Sequence, residues 1–270
     1  MAESFQSVWM ALLLASITMM LLQPQQGQAE SIEEFGEKLK QKCNTFEGKH
    51  RGSKISCDTF WKMFSSAFVN KDPSKITPAD YDNLVKAVSI EIPQNKLLLY
   101  SGTGQLLPDN PDTYVHVWQT IYGILGNFPL WCVMKNGKEV FSEGCDSKNP
   151  KCRDCSHKPA DEYWAAVSAG FAKAASGSVI VLLNGDLGYM DDSYFAKYEV
   201  PNLDFSSKGV TALRVLMVNK IDADSCKKAN LIKLQEDMKE HKNLYHCRYI
   251  LETEFKKLSA VDWWNKAKSG

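Results

Sequence analysis

The chain has 270 residues, 32 basic against 32 acidic, and 44% of its residues are hydrophobic. So even a charge balance argues against a nucleic-acid partner, which calls for a clustered basic face. The length supplies ample core for one large domain or for two lobes.

In chain order, residues 1–29 combine an apolar run from Val8 to Leu22 with a polar stretch ending in small residues at Gly27-Gln28-Ala29. This is the shape of a secretory signal cut after Ala29. The run is shorter than the ~20 residues of a membrane-crossing helix, so no stable span is expected and the protein reads as secreted. A basic n-region is missing, which keeps an uncleaved N-terminal signal anchor as the runner-up. Of the 32 acidic residues one, Glu3, falls in this segment, leaving 31 against 32 basic residues, a net charge of +1. The C-terminus is polar and lacks the hydrophobic tail of a lipid-anchor signal. No Asn-x-Ser/Thr sequon occurs, so N-glycosylation is not expected.

From residue 30 onward, Ser31 with Glu34 forms a capping box that opens a helix running to about Cys43. Further helices are predicted over residues 57–69, from Thr77-Pro78, over 114–125 and over 159–175. Three continuous apolar runs, at 96–101, 178–185 and 212–219, have the pattern of a sheet buried on both faces. Residues 224–242 read as one long polar-faced helix and 244–250 as a last strand. The fold class is therefore mixed, α+β or α/β, in two lobes stapled by disulfides. A helical N-terminal lobe spans roughly 30–125. A C-terminal lobe, roughly 126–270, carries a short parallel sheet flanked by helices, and the strand at 95–101 crosses between them.

Eight cysteines behind a signal segment read as disulfides formed in an oxidising compartment. Local pairing gives Cys43–Cys57, Cys132–Cys145 and Cys226–Cys247, leaving Cys152 and Cys155. His157 lies nearby, but three close ligands make an incomplete zinc set, and no metal is expected.

Ligands of open parallel sheets bind beyond the carboxyl ends of the strands. Two such ends stand out, Tyr100-Ser101-Gly102 and Asn184-Gly185. Gly102-Thr103-Gly104 lacks the third glycine of a dinucleotide fingerprint. Trp164, Ser168 and Phe171 recur at helical spacing and by spacing alone read as core.

The runs "EYWAAVSAGFAKAASGSVIVLLNGD" (162–186) and "SYFAKYEVPNL" (193–203), with "NKLLLYSGT" (95–103), "LWC" (130–132) and the cysteine spacings, together resemble the ADP-ribosyl cyclase / NAD glycohydrolase family. The resemblance takes in nearly all of the chain after the signal segment. It implies cleavage of the nicotinamide–ribose bond of NAD in a cleft between two lobes, yielding ADP-ribose by hydrolysis or cyclic ADP-ribose by cyclisation. NAD is then the substrate and no cofactor is needed; NADP as a second substrate and a homodimer are both left open. The family's catalytic glutamate falls on Glu199, its helical tryptophan on Trp164 and the serine one turn later on Ser168. A second pocket tryptophan is replaced by Tyr100. Ser101, Gly102, Ser193, Phe195 and Asn184 complete the candidate substrate-binding set.

Three departures stand out. The family's nicotinamide-contacting glutamate falls in register on Trp118, and no acidic residue lies between Asp112 and Lys135. Two further family cysteines fall near Gln94 and Ser176. The partner expected for Cys152 or Cys155 falls near Pro73, leaving those two to pair with each other or one of them free. His116, in the same segment as Trp118, reads as a surface or cap residue.

Nicotinamide leaves neutral from a cationic glycosidic nitrogen, so no general acid is required. What remains is to stabilise a ribosyl cation, which one carboxylate does by charge and by hydrogen bonds to the sugar. Tyr194, Phe195 and Tyr198 around Glu199 would lower the local dielectric and strengthen that interaction. Two other readings compete: a catalytically degenerate family member that binds a nucleotide or a protein partner, and a disulfide-rich structural protein.

Overall fold

Strand β1, Ala29–Ser31, leads into helix α1, Ile32–Thr45, through the capping box expected there. Glu34 N donates to Ser31 Oγ at 3.1 Å and Ser31 N to Glu34 Oε2 at 2.9 Å. The computed structural model describes residues 29–47, 55–88, 90–108, 113–128, 131–135, 138–141, 153–221 and 224–270. Residues 1–28 of the expected signal, together with Cys145 and Cys152, lie outside the described residues.

Helix α2, Cys57–Ser66, a 3₁₀ turn at Pro78–Tyr81 and helix α3, Asp82–Val88, follow α1. Their apolar faces meet around Phe64, which is fully buried among Phe68, Tyr81, Trp131 and Tyr163. Helix α4, Lys158–Lys173, supplies Tyr163 and is pinned to the earlier helices. Tyr81 Oη donates to Pro159 O at 2.8 Å, and Tyr163 Oη to Tyr122 O at 3.1 Å. The helical layer is thus assembled from both halves of the sequence.

The sheet takes the predicted apolar runs in parallel, in the order β2 (Leu98–Ser101), β6 (Gly177–Asn184), β7 (Val210–Asn219) and β8 (Tyr245–Leu251). Strand β9, Lys268–Ser269, adds an antiparallel edge to β8. The runs are continuous rather than alternating because each face is covered. Val179, Val181, Leu213, Val215 and Met217 enter the main core. Ile180, Leu182, Leu216 and Ile250 lie under Phe255 of α6 (Glu252–Phe255) and Trp263 of α7 (Trp263–Lys266).

A second, antiparallel sheet was not legible in the sequence. It orders β1 beside β4 (Glu139–Phe141), β3 (Cys132–Met134) and β5 (Cys155–Ser156). Strands of two or three residues are too short to show a period. This sheet corrects one disulfide. Cys43–Cys57 and Cys226–Cys247 form as expected, but Cys132 pairs with Cys155, not Cys145. The pairing of β3 with β5 sets Met134 opposite Cys155 and brings the two Cα atoms of the bridge to 5.6 Å. Cys155 is therefore neither bonded to Cys152 nor free.

Two predicted helices are broken. Residues 114–125 hold 3₁₀ turns at Val117–Gln119 and Ile121–Asn127, interrupted by an extended Thr120. Gly123 and Gly126 weaken any α-helix in that segment. The stretch 224–242 keeps α5, Ala229–Asp237, between 3₁₀ turns at Ser225–Lys227 and Lys239–Leu244. Lys228 is extended, Lys239 has φ of 53°, and the Cys226–Cys247 bond ties the first turn to β8. Among the described residues no helix is long and apolar enough to cross a membrane.

Candidate active site

Strands β2 and β6 lie side by side in parallel, so the chain leaves both at one edge of the sheet. After Ser101 it turns at Gly102, whose φ of +69° favours glycine. Asn184 closes the neighbouring end. Its Oδ1 accepts from Asp186 N at 2.9 Å and its Nδ2 donates to Gly102 O at 3.4 Å. Asn184 thus braces two turns, and its side chain is not part of the cleft wall.

Across this edge run residues 193–202. Ser193 Oγ accepts from Ala196 N at 3.2 Å and starts a π turn at Phe195–Glu199, followed by a 3₁₀ turn at Val200–Asn202. The wide turn adds a residue per revolution, a device concentrated at functional sites. Phe195 packs edge-on against Tyr189, and Glu199 is buried beneath the cleft. Helix α4 supplies the facing wall with Trp164 and Ser168 one turn apart, while Phe171, one turn further, goes into the core.

The resulting cleft holds about 340 Å³. Nine residues named from the sequence line it: Tyr100, Ser101, Gly102, Trp118, Trp164, Ser168, Ser193, Phe195 and Glu199. Val117 and Tyr194 line it too. Tyr194 belongs to the apolar setting expected around Glu199, whereas Val117 carries no signal that separates it from a core valine. His116 is buried at the cap of the Val117–Gln119 turn rather than on the surface, its backbone N–H meeting Gln119 Oε1 at 3.3 Å.

Trp118 is held from several sides. Its ring centroid lies 5.1 Å from that of Trp164, and its indole N–H donates to the Tyr100 hydroxyl. Its ring rests on Gly126, where a Cβ would fall 1.6 Å from the indole. Trp118 and Tyr100 also border a neighbouring hollow of about 590 Å³.

Glu199 dominates the electrostatics. Its Oε2 is buried without a hydrogen-bond partner among the described residues. Burial pushes its carboxyl from 4.5 up to about 8, against the lowering effect of a hydrogen bond from Ser168. A lone carboxylate with an unused oxygen, facing an aromatic cleft, suits a cationic sugar centre. Among the described residues no cluster of His, Cys, Asp and Glu could hold a metal.

The family model described as ADP-ribosyl cyclase matches residues 33–262. The chain belongs to the ADP-ribosyl cyclase family. It is 28% identical over 201 residues to human ADP-ribosyl cyclase/cyclic ADP-ribose hydrolase 2, covering 71% of this chain and 61% of that protein. Against the cyclase of Aplysia californica identity is 25%, covering 71% and 69% of the two chains. The chain spans about three fifths of the length of the mammalian relatives it matches. Porcine CD38 in complex with a covalent intermediate, ribo-F-ribose-5′-phosphate, superposes with a TM-score of 0.65 at 25% identity, covering 84% of this chain and 99% of that one. Trp118, on which the resemblance is expected to place a second family glutamate, lies in the cleft wall.

Proposed function

We propose that this chain is an extracellular enzyme that cleaves the nicotinamide–ribose bond of NAD, with Glu199 stabilising the ribosyl cation. The reading is carried by the buried Oε2 of Glu199, which has no partner among the described residues and faces a cleft of Tyr100, Trp118 and Trp164. The covalent intermediate held by porcine CD38 supports it. As the glycosidic C–N bond breaks, its electron pair leaves with nicotinamide and the pyridinium charge is lost. The ribosyl centre then gains positive charge, met by the Glu199 carboxylate through electrostatics or a transient ester. Water completes ADP-ribose and releases a proton; attack by an adenine nitrogen completes cyclic ADP-ribose, the positive charge passing to the adenine ring. The paired disulfides accord with secretion.

The carboxyl's raised pKa sets a pH dependence. The ionised form is the active one, so kcat/KM should rise with pH and level off above about 8, the free-protein value of Glu199. The substrate's pyridinium charge favours the ionised form, so the limb in kcat should lie at lower pH. A kcat/KM profile flat across both limbs would detach Glu199 from the reaction.

Trp164→Ala should raise KM and lower kcat, while Trp164→Phe largely retains activity. Stacking of a base on an aromatic ring is worth roughly 1–3 kcal/mol in nucleic-acid sites. Unchanged kinetics in the folded fraction of Trp164→Ala would return the ring to a packing role.

Trp118 bears on which product forms. Its flat ring offers adenine a stacking surface, which favours folding of the dinucleotide and hence measurable cyclisation beside hydrolysis. A barrier difference of ~1.4 kcal/mol changes the partition about tenfold. Chromatography of the products from NAD should show cyclic ADP-ribose, and Trp118→Glu should shift the mixture towards ADP-ribose. A wild type that yields ADP-ribose alone contradicts this role.

A second reading, a nucleotide-binding member without turnover, is favoured by the lack of any acidic residue between Asp112 and Lys135. Calorimetric binding of a non-hydrolysable NAD analogue, with no nicotinamide released from NAD, would select it.

A further inference from the structure

One face of the parallel sheet changes character along its strands. Towards the strand ends, Leu216 and Val218 on β7 and Ile250 on β8 are buried beneath Phe255 and Trp263. Towards the strand starts, the same alternating positions hold Arg214 on β7, with His246 and Arg248 on β8. Arg214 stands opposite His246, so all three project from one face. Two arginines where the period calls for apolar residues break a local folding rule, and such breaks gather at functional sites.

Trp264 organises this cluster. The Arg248 guanidinium carbon lies 4.8 Å from its ring centroid and that of Arg214 5.5 Å. Arg248 Nη1 also donates to Trp264 O at 2.6 Å. No ion pair among the described residues involves either arginine. Two like charges therefore share one indole, with no ion-pair partner for either among the described residues. A guanidinium held over an indole keeps N–H donors at its rim, and such donors suit planar, bidentate recognition of oxyanions; Arg248 spends one of its own on Trp264 O. The cluster borders a hollow of about 460 Å³ that includes Ser269 and shares no residue with the cleft.

We propose that this hollow is a second ligand site, for a phosphate or sulfate ester whose oxyanion bridges Arg214 and Arg248. His246 and Ser269 supply further polar contacts. Occupancy does not depend on turnover in the cleft.

Calorimetric titration of the intact protein with inorganic phosphate and with sulfate, at constant ionic strength, tests it. Saturable binding is expected, weakened about tenfold or more in Arg214→Gln, the loss of one charge-assisted contact, and abolished in Arg214→Gln/Arg248→Gln. Nicotinamide release from NAD should be unaffected by either variant. Arg248 also holds Trp264 O, so Arg214→Gln alone carries the test if the double variant does not fold. Adenosine monophosphate and a sulfated disaccharide identify the carrier: the one whose Arg214-dependent binding exceeds that of the free ion is the preferred ester. Absence of saturable binding at millimolar anion, or affinity indifferent to Arg214→Gln, would overturn the proposal.

Discussion

Glu199→Gln is expected to leave the fold intact and to lower NAD turnover by about 10²–10³-fold, the usual effect of removing one preorganised partner of a transition-state charge. Glutamine keeps the shape and the contact to Ser168 but cannot carry charge. The same substitution has a stability signature of predictable sign. In the unfolded chain the carboxyl titrates near 4.5 and in the folded protein near 8, so the native state binds more protons between those values. Wild-type stability should therefore fall as pH rises from about 4.5 to about 8. Glu199→Gln should lack that slope and become the more stable protein at the alkaline end. Denaturant unfolding at several pH values, beside steady-state kinetics, checks both halves. Near wild-type kcat in a well-folded variant would end the catalytic assignment.

The largest loss of stability is expected from Phe64→Ala. Phe64 is fully buried, with ring centroids 5.0 Å from Phe68, 5.3 Å from Trp131 and 5.4 Å from Tyr163. These neighbours come from separate segments, so they cannot close together over the void. Truncating a buried phenylalanine typically costs about 3–5 kcal/mol. Tyr163 also packs edge-on against Trp164, at 5.1 Å, so the cavity lies one ring behind the cleft wall. A loss below about 1 kcal/mol would show that the site relaxes or that the aromatic cluster is not the core of the helical layer.

Much of this molecule could be read beforehand, and the limits follow from range. Ser31 with Glu34 marks a helix start because the capping bonds join residues three apart. The apolar runs of β6 and β7 are visible because burial on both faces writes itself into one unbroken segment. The Cys132–Cys155 bond depends on the pairing of strands 23 residues apart, and loop length alone favoured the wrong partner. The break at Thr120 and the seat of Trp118 on Gly126 arise from contacts across a turn, which helical periodicity does not encode. The same holds for the Trp164, Ser168 and Phe171 stripe. Spacing places the three on one helix, but only the fold decides that the first two face the cleft and the third the core.

Cleavage of NAD is assigned to Glu199. Incubating the purified protein with NAD and quantifying free nicotinamide, beside a folded Glu199→Gln control, tests it most directly. The wild type should release nicotinamide steadily, and the control about 10²–10³-fold more slowly. No release by the wild type, or equal release by both proteins, would contradict the account.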